Sequence, residues 1–82
     1  MSETGHDLQA LFPHNRPILR ALKIEDASFR KLAERYHELE LEIQRVDAGL
    51  DAASDERIEE LKKERLRLLD DVAGMIEARE AE

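Results

Sequence analysis

Residues 46–58 read VDAGLDAASDERI, and the fold turns on how this stretch is understood. Gly49 stands where a helix ending at about Ala48 needs a residue able to take the left-handed conformation. Ser54 followed by Asp55 and Glu56 is a helix start: the hydroxyl accepts from a free backbone N–H, and the acids complement the helix dipole. The apolar pattern also changes phase here. Upstream, Ile18, Leu22, Phe29, Leu32, Tyr36, Leu39, Ile43, Val46 and Leu50 alternate in steps of four and three, once Glu25 takes the slot between Leu22 and Phe29. Continued unbroken, that seam would need apolar residues at Ala53, Arg57 and Glu60. The chain offers Ile58 and Leu61 instead, one step late. Glycine, phase slip and serine cap together predict a turn at about 49–54.

The flanking segments are long enough for two helices. The first, about 17–48, opens at Asn15-Arg16-Pro17, where asparagine suits an N-cap and proline suits the first turn. It would be about 48 Å long at the helical rise of 1.5 Å per residue. The second, about 55–79, carries a seam of Ile58, Leu61, Arg65, Leu68, Val72 and Met75. A heptad seam on both segments and a short turn between them predict an all-α, antiparallel, coiled-coil-like hairpin over residues 17–80. Its core is Leu22, Phe29, Leu32, Tyr36, Leu39 and Ile43 with Val46, facing Ile58, Leu61, Leu68, Val72 and Met75. Pairing about the turn sets Val46 on Ile58, Ile43 on Leu61, Tyr36 on Leu68, Leu32 on Val72 and Phe29 on Met75. It also brings Glu25 to Arg79, and Arg65 to Leu39 with Glu40 and Glu42 nearby. Residues 1–16 form a short N-terminal flap, in which Leu8, Leu11 and Phe12 suit a single helical turn stopped by Pro13.

Two helices bury one stripe each, which leaves an isolated hairpin of this size marginal. A second stripe, Leu66, Leu69, Ala73 and Ile76, runs down one flank of the second helix. Helices with two apolar stripes touch two neighbours. The flank therefore predicts self-association into a homodimer or larger bundle; the alternative is that both stripes form a single broad core face.

Composition narrows the function. Of 82 residues, 40% are charged and only 4% aromatic, the make-up of a long-helix protein. The absence of cysteine excludes disulfides and thiolate metal sites. His6, His14 and His37 share no helical spacing, so no cofactor or zinc is expected. The many carboxylates of an open helix lack the burial that tunes acid–base groups, and Ser28 and Ser54 have no base at helical spacing, so the expectation is a protein that is not an enzyme. The net charge is −7, and residues 51–82 hold six bases against eleven acids. That balance argues against nucleic acid and anionic membranes as partners. No apolar run approaches the roughly 18 residues of a membrane span, and the first fifteen residues lack the pattern of a secretory signal, so the cytoplasm is the expected compartment. The leading expectation is an interaction or scaffold module that binds another protein. The rival is a nucleic-acid-associated regulator using Arg20, Lys23, Arg30 and Lys31 on the outer side of the first helix.

One resemblance adds to this. Phe12-Pro13-His14, then Leu22-Lys23-Ile24-Glu25-Asp26 with Phe29, Leu32 and Tyr36, then Ser54-Asp55 and Leu61-Lys62-Lys63-Glu64-Arg65-Leu66 with Leu69-Asp70, resemble the YdcH-like family of small bacterial proteins. The likeness runs from about Leu11 to Ile76. It implies a helical, cytosolic bacterial protein whose domain is of unknown function, and it brings no catalytic residues with it. Ala52-Ala53 stand where the family often has a proline before the Ser-Asp start.

The seam makes a direct demand on Phe29. Truncating a ring that is buried there, Phe29→Ala, should cost about 3–5 kcal/mol in chemical denaturation. A neutral change would contradict the seam.

Overall fold

Gly49 adopts φ 77°, the one positive φ among the described residues. Around it the chain closes a Schellman turn, in which the Leu50 N–H donates to the Arg45 carbonyl at 2.9 Å and the Gly49 N–H to the Val46 carbonyl at 3.0 Å. The guanidinium of Arg45 clasps the Asp51 carboxylate across the turn at 2.8 and 3.2 Å. This hydrogen bonding holds the Asp51 carboxyl below its usual range and the Arg45 guanidinium above its own. Ser54 then caps the next helix, its Oγ accepting from the Arg57 N–H at 3.1 Å.

The structure is a computed structural model that describes residues 6–81. It is all-α, with no strand among the described residues. The helices are α1 (His6–Leu11), α2 (Arg16–Glu25), α3 (Ala27–Asp47) and α4 (Asp55–Glu80), with a 3-10 turn at Pro13–Asn15 between α1 and α2. Helix α3 packs along α4. Ion pairs joining them run antiparallel: Glu42 with Arg57 and Arg35 with Glu64, continuing to Glu25 with Arg79 at the end of α2, while Glu40 pairs with Arg65 alongside. The long dimension of 44 Å matches α4, whose 26 residues span about 39 Å.

One expectation fails at Asp26. The helix foreseen over about 17–48 is two helices, because Asp26 is extended at φ −121°, ψ 108°. Its side chain caps α3, Oδ1 accepting from the Phe29 N–H at 3.1 Å. Arg30 reaches back over the break and donates from Nη1 to the carbonyls of Lys23 and Ile24 at 3.0 and 3.1 Å. Asp26 and Arg30 thus satisfy the Phe29 N–H and the Lys23 and Ile24 carbonyls, which a continuous helix would have paired with the carbonyl of Glu25 and the N–H groups of residues 27 and 28. A second correction concerns Asn15. It holds the N-cap position of α2 but makes no side-chain cap; its Nδ2 donates instead to Glu80 Oε2 at 3.4 Å.

The bend brings the N-terminal elements against α3 and α4. Leu8, Leu19 and Leu22 join Phe29, Ala33, Tyr36, Leu39, Ile43, Leu61, Leu68, Val72 and Ile76 in one core. Phe12, Ile18, Leu32, Leu69 and Met75 pack against it, while Val46 and Ile58 are half-buried near the turn. Leu11, grouped with Leu8 and Phe12 on sequence, is half exposed. The first five residues of the flap lie outside the described residues.

The two described glycines make opposite demands. A Cβ would meet open space at either, but only Gly49 holds a left-handed φ. Gly49→Ala should destabilise by about 1–2 kcal/mol. Gly74→Ala, inside α4, should stabilise by about 1 kcal/mol. Urea denaturation of the two variants checks the pair, and shifts of the same sign would contradict it.

Candidate functional site

Helix α4 has three differently furnished sides, and what the protein can do depends on them. The edge nearest α3 is a row of reciprocal charges. Arg35 and Glu42 lie seven residues apart on one face of α3, as Arg57 and Glu64 do on α4. Arg35 donates to Glu64 through Nε and Nη2 at 2.6 and 2.8 Å, and Arg57 Nη2 reaches Glu42 at 3.1 Å. A slip of one heptad either way would set Arg35 against Arg57 or Glu42 against Glu64, like on like. The row therefore fixes register more than it adds stability, since half-exposed pairs contribute only about 0–1 kcal/mol. Hydrogen bonding to Arg35 holds the Glu64 carboxyl below its ordinary value. The same bond raises the Arg35 guanidinium. A shallow open depression of about 380 Å³ lies beside this row, lined by Glu60, Lys63, Glu64, Arg67 and Leu68.

Arg65 occupies a seam position with its guanidinium turned out to Glu40 Oε1 at 2.7 Å. Both side chains are mostly covered, at 32% and 23% exposure, so the stem packs while the charged head keeps a partner at the rim. Glu25 meets Arg79 at 2.7 Å at the far end.

The flank assigned on sequence to self-association divides in the structure. Ile76 is buried in the chain's own core, Leu69 packs against that core, and Ala73 is half-buried. Phe12 and Asn15 share an open cleft of about 170 Å³ with Ala73, Ile76, Glu77 and Glu80. The second neighbour that the stripe calls for is thus the chain's own N-terminal segment. Leu66 alone of the four stands mainly in solvent, 61% exposed. Its helical neighbours on that side are Lys62, Lys63 and Asp70, all exposed.

The basic residues of the rival reading lie on α2 and the start of α3. Residues 16–31 carry Arg16, Arg20, Lys23, Arg30 and Lys31 against only Glu25 and Asp26. Both acids are engaged, Glu25 by Arg79 and Asp26 by the Phe29 amide. Arg30 is engaged as well, on the carbonyls of α2. Among the described residues, no three His, Asp or Glu side chains converge as a metal ion requires. His14 is exposed on the 3-10 turn and His37 half-buried on α3. No helix among the described residues is long and apolar enough to cross a membrane.

These features define a class: a small all-α protein whose two longest helices are held in register by arginine–carboxylate pairs. Residues 29–76 match the family described as Protein of unknown function (DUF465), and the chain belongs to that family, which is the YdcH-like family. The matched span opens at Phe29, the residue capped by Asp26, and closes at Ile76. The Phe12-Pro13-His14 and Leu22–Asp26 blocks of the sequence resemblance lie outside it. No curated protein and no solved structure matches the chain at a level that would support an inference.

The Glu64 pairing has a pH signature. Its carboxyl titrates lower folded than free, so the contribution is present above the ordinary value of 4.5 and is lost as pH falls through the folded value. Glu64→Gln should therefore lose less stability than wild type between about pH 5 and pH 3, by up to about 1 kcal/mol given the exposure. Superimposable stability–pH curves would contradict the pairing.

Proposed function

We propose that the chain is a non-enzymatic interaction module of the bacterial cytoplasm that works without a cofactor. In this reading it is a coiled-coil-like antiparallel hairpin that presents charged helix faces to another protein and associates with copies of itself as a homodimer or larger bundle. The observation that carries the reading is the division of α4. Its inner edge spends Arg57, Glu64 and Arg65 on partners in α3, whereas its outer side leaves Leu66 in water among charges of both signs. An exposed leucine ringed by charge can bury its apolar surface on a partner while the rim sets orientation.

A second reading, a nucleic-acid-associated regulator, draws on the five bases of residues 16–31. Its affinity would fall steeply with added salt, whereas burial of Leu66 would depend on salt only weakly.

Leu66→Glu separates surface from core. The variant should keep the wild-type circular dichroism and melting temperature, because the side chain packs on little. It should also lose proteins that the tagged wild type captures from bacterial lysate. An unchanged set of captured proteins would contradict a role for this face.

A further inference from the structure

The structure breaks a helix that the sequence could have continued. The apolar seam passes from Ile18 and Leu22 through Glu25 to Phe29 without losing step, so a straight helix from Arg16 to Asp47 would keep Ile18, Leu22 and Phe29 on one face. In the bent chain the residue buried beside Leu22 is Leu19, and Ile18 is only half-buried. One residue, Asp26, makes the difference. Straightening there would regain the helical bonds from residues 27, 28 and 29 to the carbonyls of 23, 24 and 25. The bent form replaces them with the Asp26 cap on Phe29 and the two bonds from Arg30 to Lys23 and Ile24. The two states thus make closely matched numbers of hydrogen bonds.

Their difference lies in what covers α4. In the bent chain, residues 6–25 supply Leu8, Leu19 and Leu22 to the core that includes Ile76, with Phe12 and Leu69 packed against it. A straight α2–α3 carries those side chains away from their own α4 and leaves the Leu69–Ala73–Ile76 flank bare. The segment that fits the flank is then residues 6–25 of a second copy, because that segment already fits it within one chain. We infer that the protein dimerises by exchanging residues 6–25 between two chains, with Asp26 as the hinge. This rests on the self-association proposed above and specifies its form. Outside the hinge, exchange remakes the contacts of the closed chain, including Asn15 with Glu80 and Glu25 with Arg79, now between chains. The balance is therefore set by the hinge and by protein concentration.

Two substitutions push the hinge in opposite directions. Asp26→Ala removes the cap and favours the straight helix, so the concentration at which half the chains are dimeric should fall about tenfold. Ala27→Pro places proline at the first position of α3, which it suits, and bars a continuous helix. The residue before a proline prefers the extended backbone that Asp26 already has. Dimer should then appear only at concentrations at least about tenfold higher. Sedimentation equilibrium on the full chain reads both shifts. The chain has no cysteine, so Asn15→Cys with Glu80→Cys gives a thiol pair of known placement. A short bismaleimide applied to the isolated dimer fraction should yield covalent dimers on a denaturing gel. A dimer fraction that cross-links only within chains, or that is unmoved by either hinge variant, overturns the exchange while leaving self-association standing. No dimer at millimolar concentration, for wild type and Asp26→Ala alike, overturns both.

Discussion

Everything in this structure depends on the chain reversing at Gly49. The Schellman turn needs one residue with φ 77°, and glycine takes it without the penalty a Cβ would bring. Once the chain turns back, the apolar faces of α3 and α4 meet along their length, and Leu39, Leu61 and Val72 disappear from water altogether. The reversal by itself would tolerate several registers, since leucine packs on leucine in any of them. Charge removes that freedom. Arg35 and Glu42 answer Glu64 and Arg57, and a slip by one heptad turns attraction into repulsion. The two devices act at different levels: the turn brings the helices together, and the ion pairs decide which residues face which.

The third device is the bend at Asp26. Two helices packed side by side bury one stripe each, which is little core for a fold of this size. Folding residues 6–25 back supplies Leu8, Leu19 and Leu22 to the same core and covers the second stripe of α4. The chain thereby makes for itself part of the contact that a partner would otherwise provide. What is left outside is largely charge, with Leu66 as the conspicuous apolar exception on α4. That distribution is why the functional reading centres on the outer side of α4 and on the state of the N-terminal segment.

The features legible in the sequence are those whose signals are local. Glycine after a helix, serine before two acids and a one-residue slip of phase all sit within residues 46–58 and agree. The ion pairs of Glu25 with Arg79 and Arg65 with Glu40 follow from the register that this turn dictates. The break at Asp26 is hidden because the heptad runs through it: Glu25 fills a seam slot, so nothing in the periodicity marks an end. Its cap on Phe29 also lacks the glutamate three residues on that would complete a capping box. Missing the bend conceals its consequences. Leu19 lies off the straight seam and becomes core only when α2 tilts. Ala33 is too small to register as a seam residue, yet it is buried in the same cluster as Leu19 and Leu22. Of the flank of Leu66, Leu69, Ala73 and Ile76, read on sequence as a self-association face, Ile76 is buried in the chain's own core and Leu69 packs against it. Periodicity alone cannot say whether the neighbour of such a stripe belongs to the same chain.

A single intramolecular distance tests the reversal most directly. Spin labels at Lys31 and Gly74, diluted with unlabelled protein so that only pairs within one chain are read, sit on neighbouring helices if the chain doubles back. Helix axes packed about 8–10 Å apart then give a label separation of about 20 Å. An unbroken shaft would place the same residues about 65 Å apart at 1.5 Å per residue. A distribution centred near 20 Å is the predicted result. One centred beyond about 50 Å would contradict the reversal, and with it the register, the core and the covered flank.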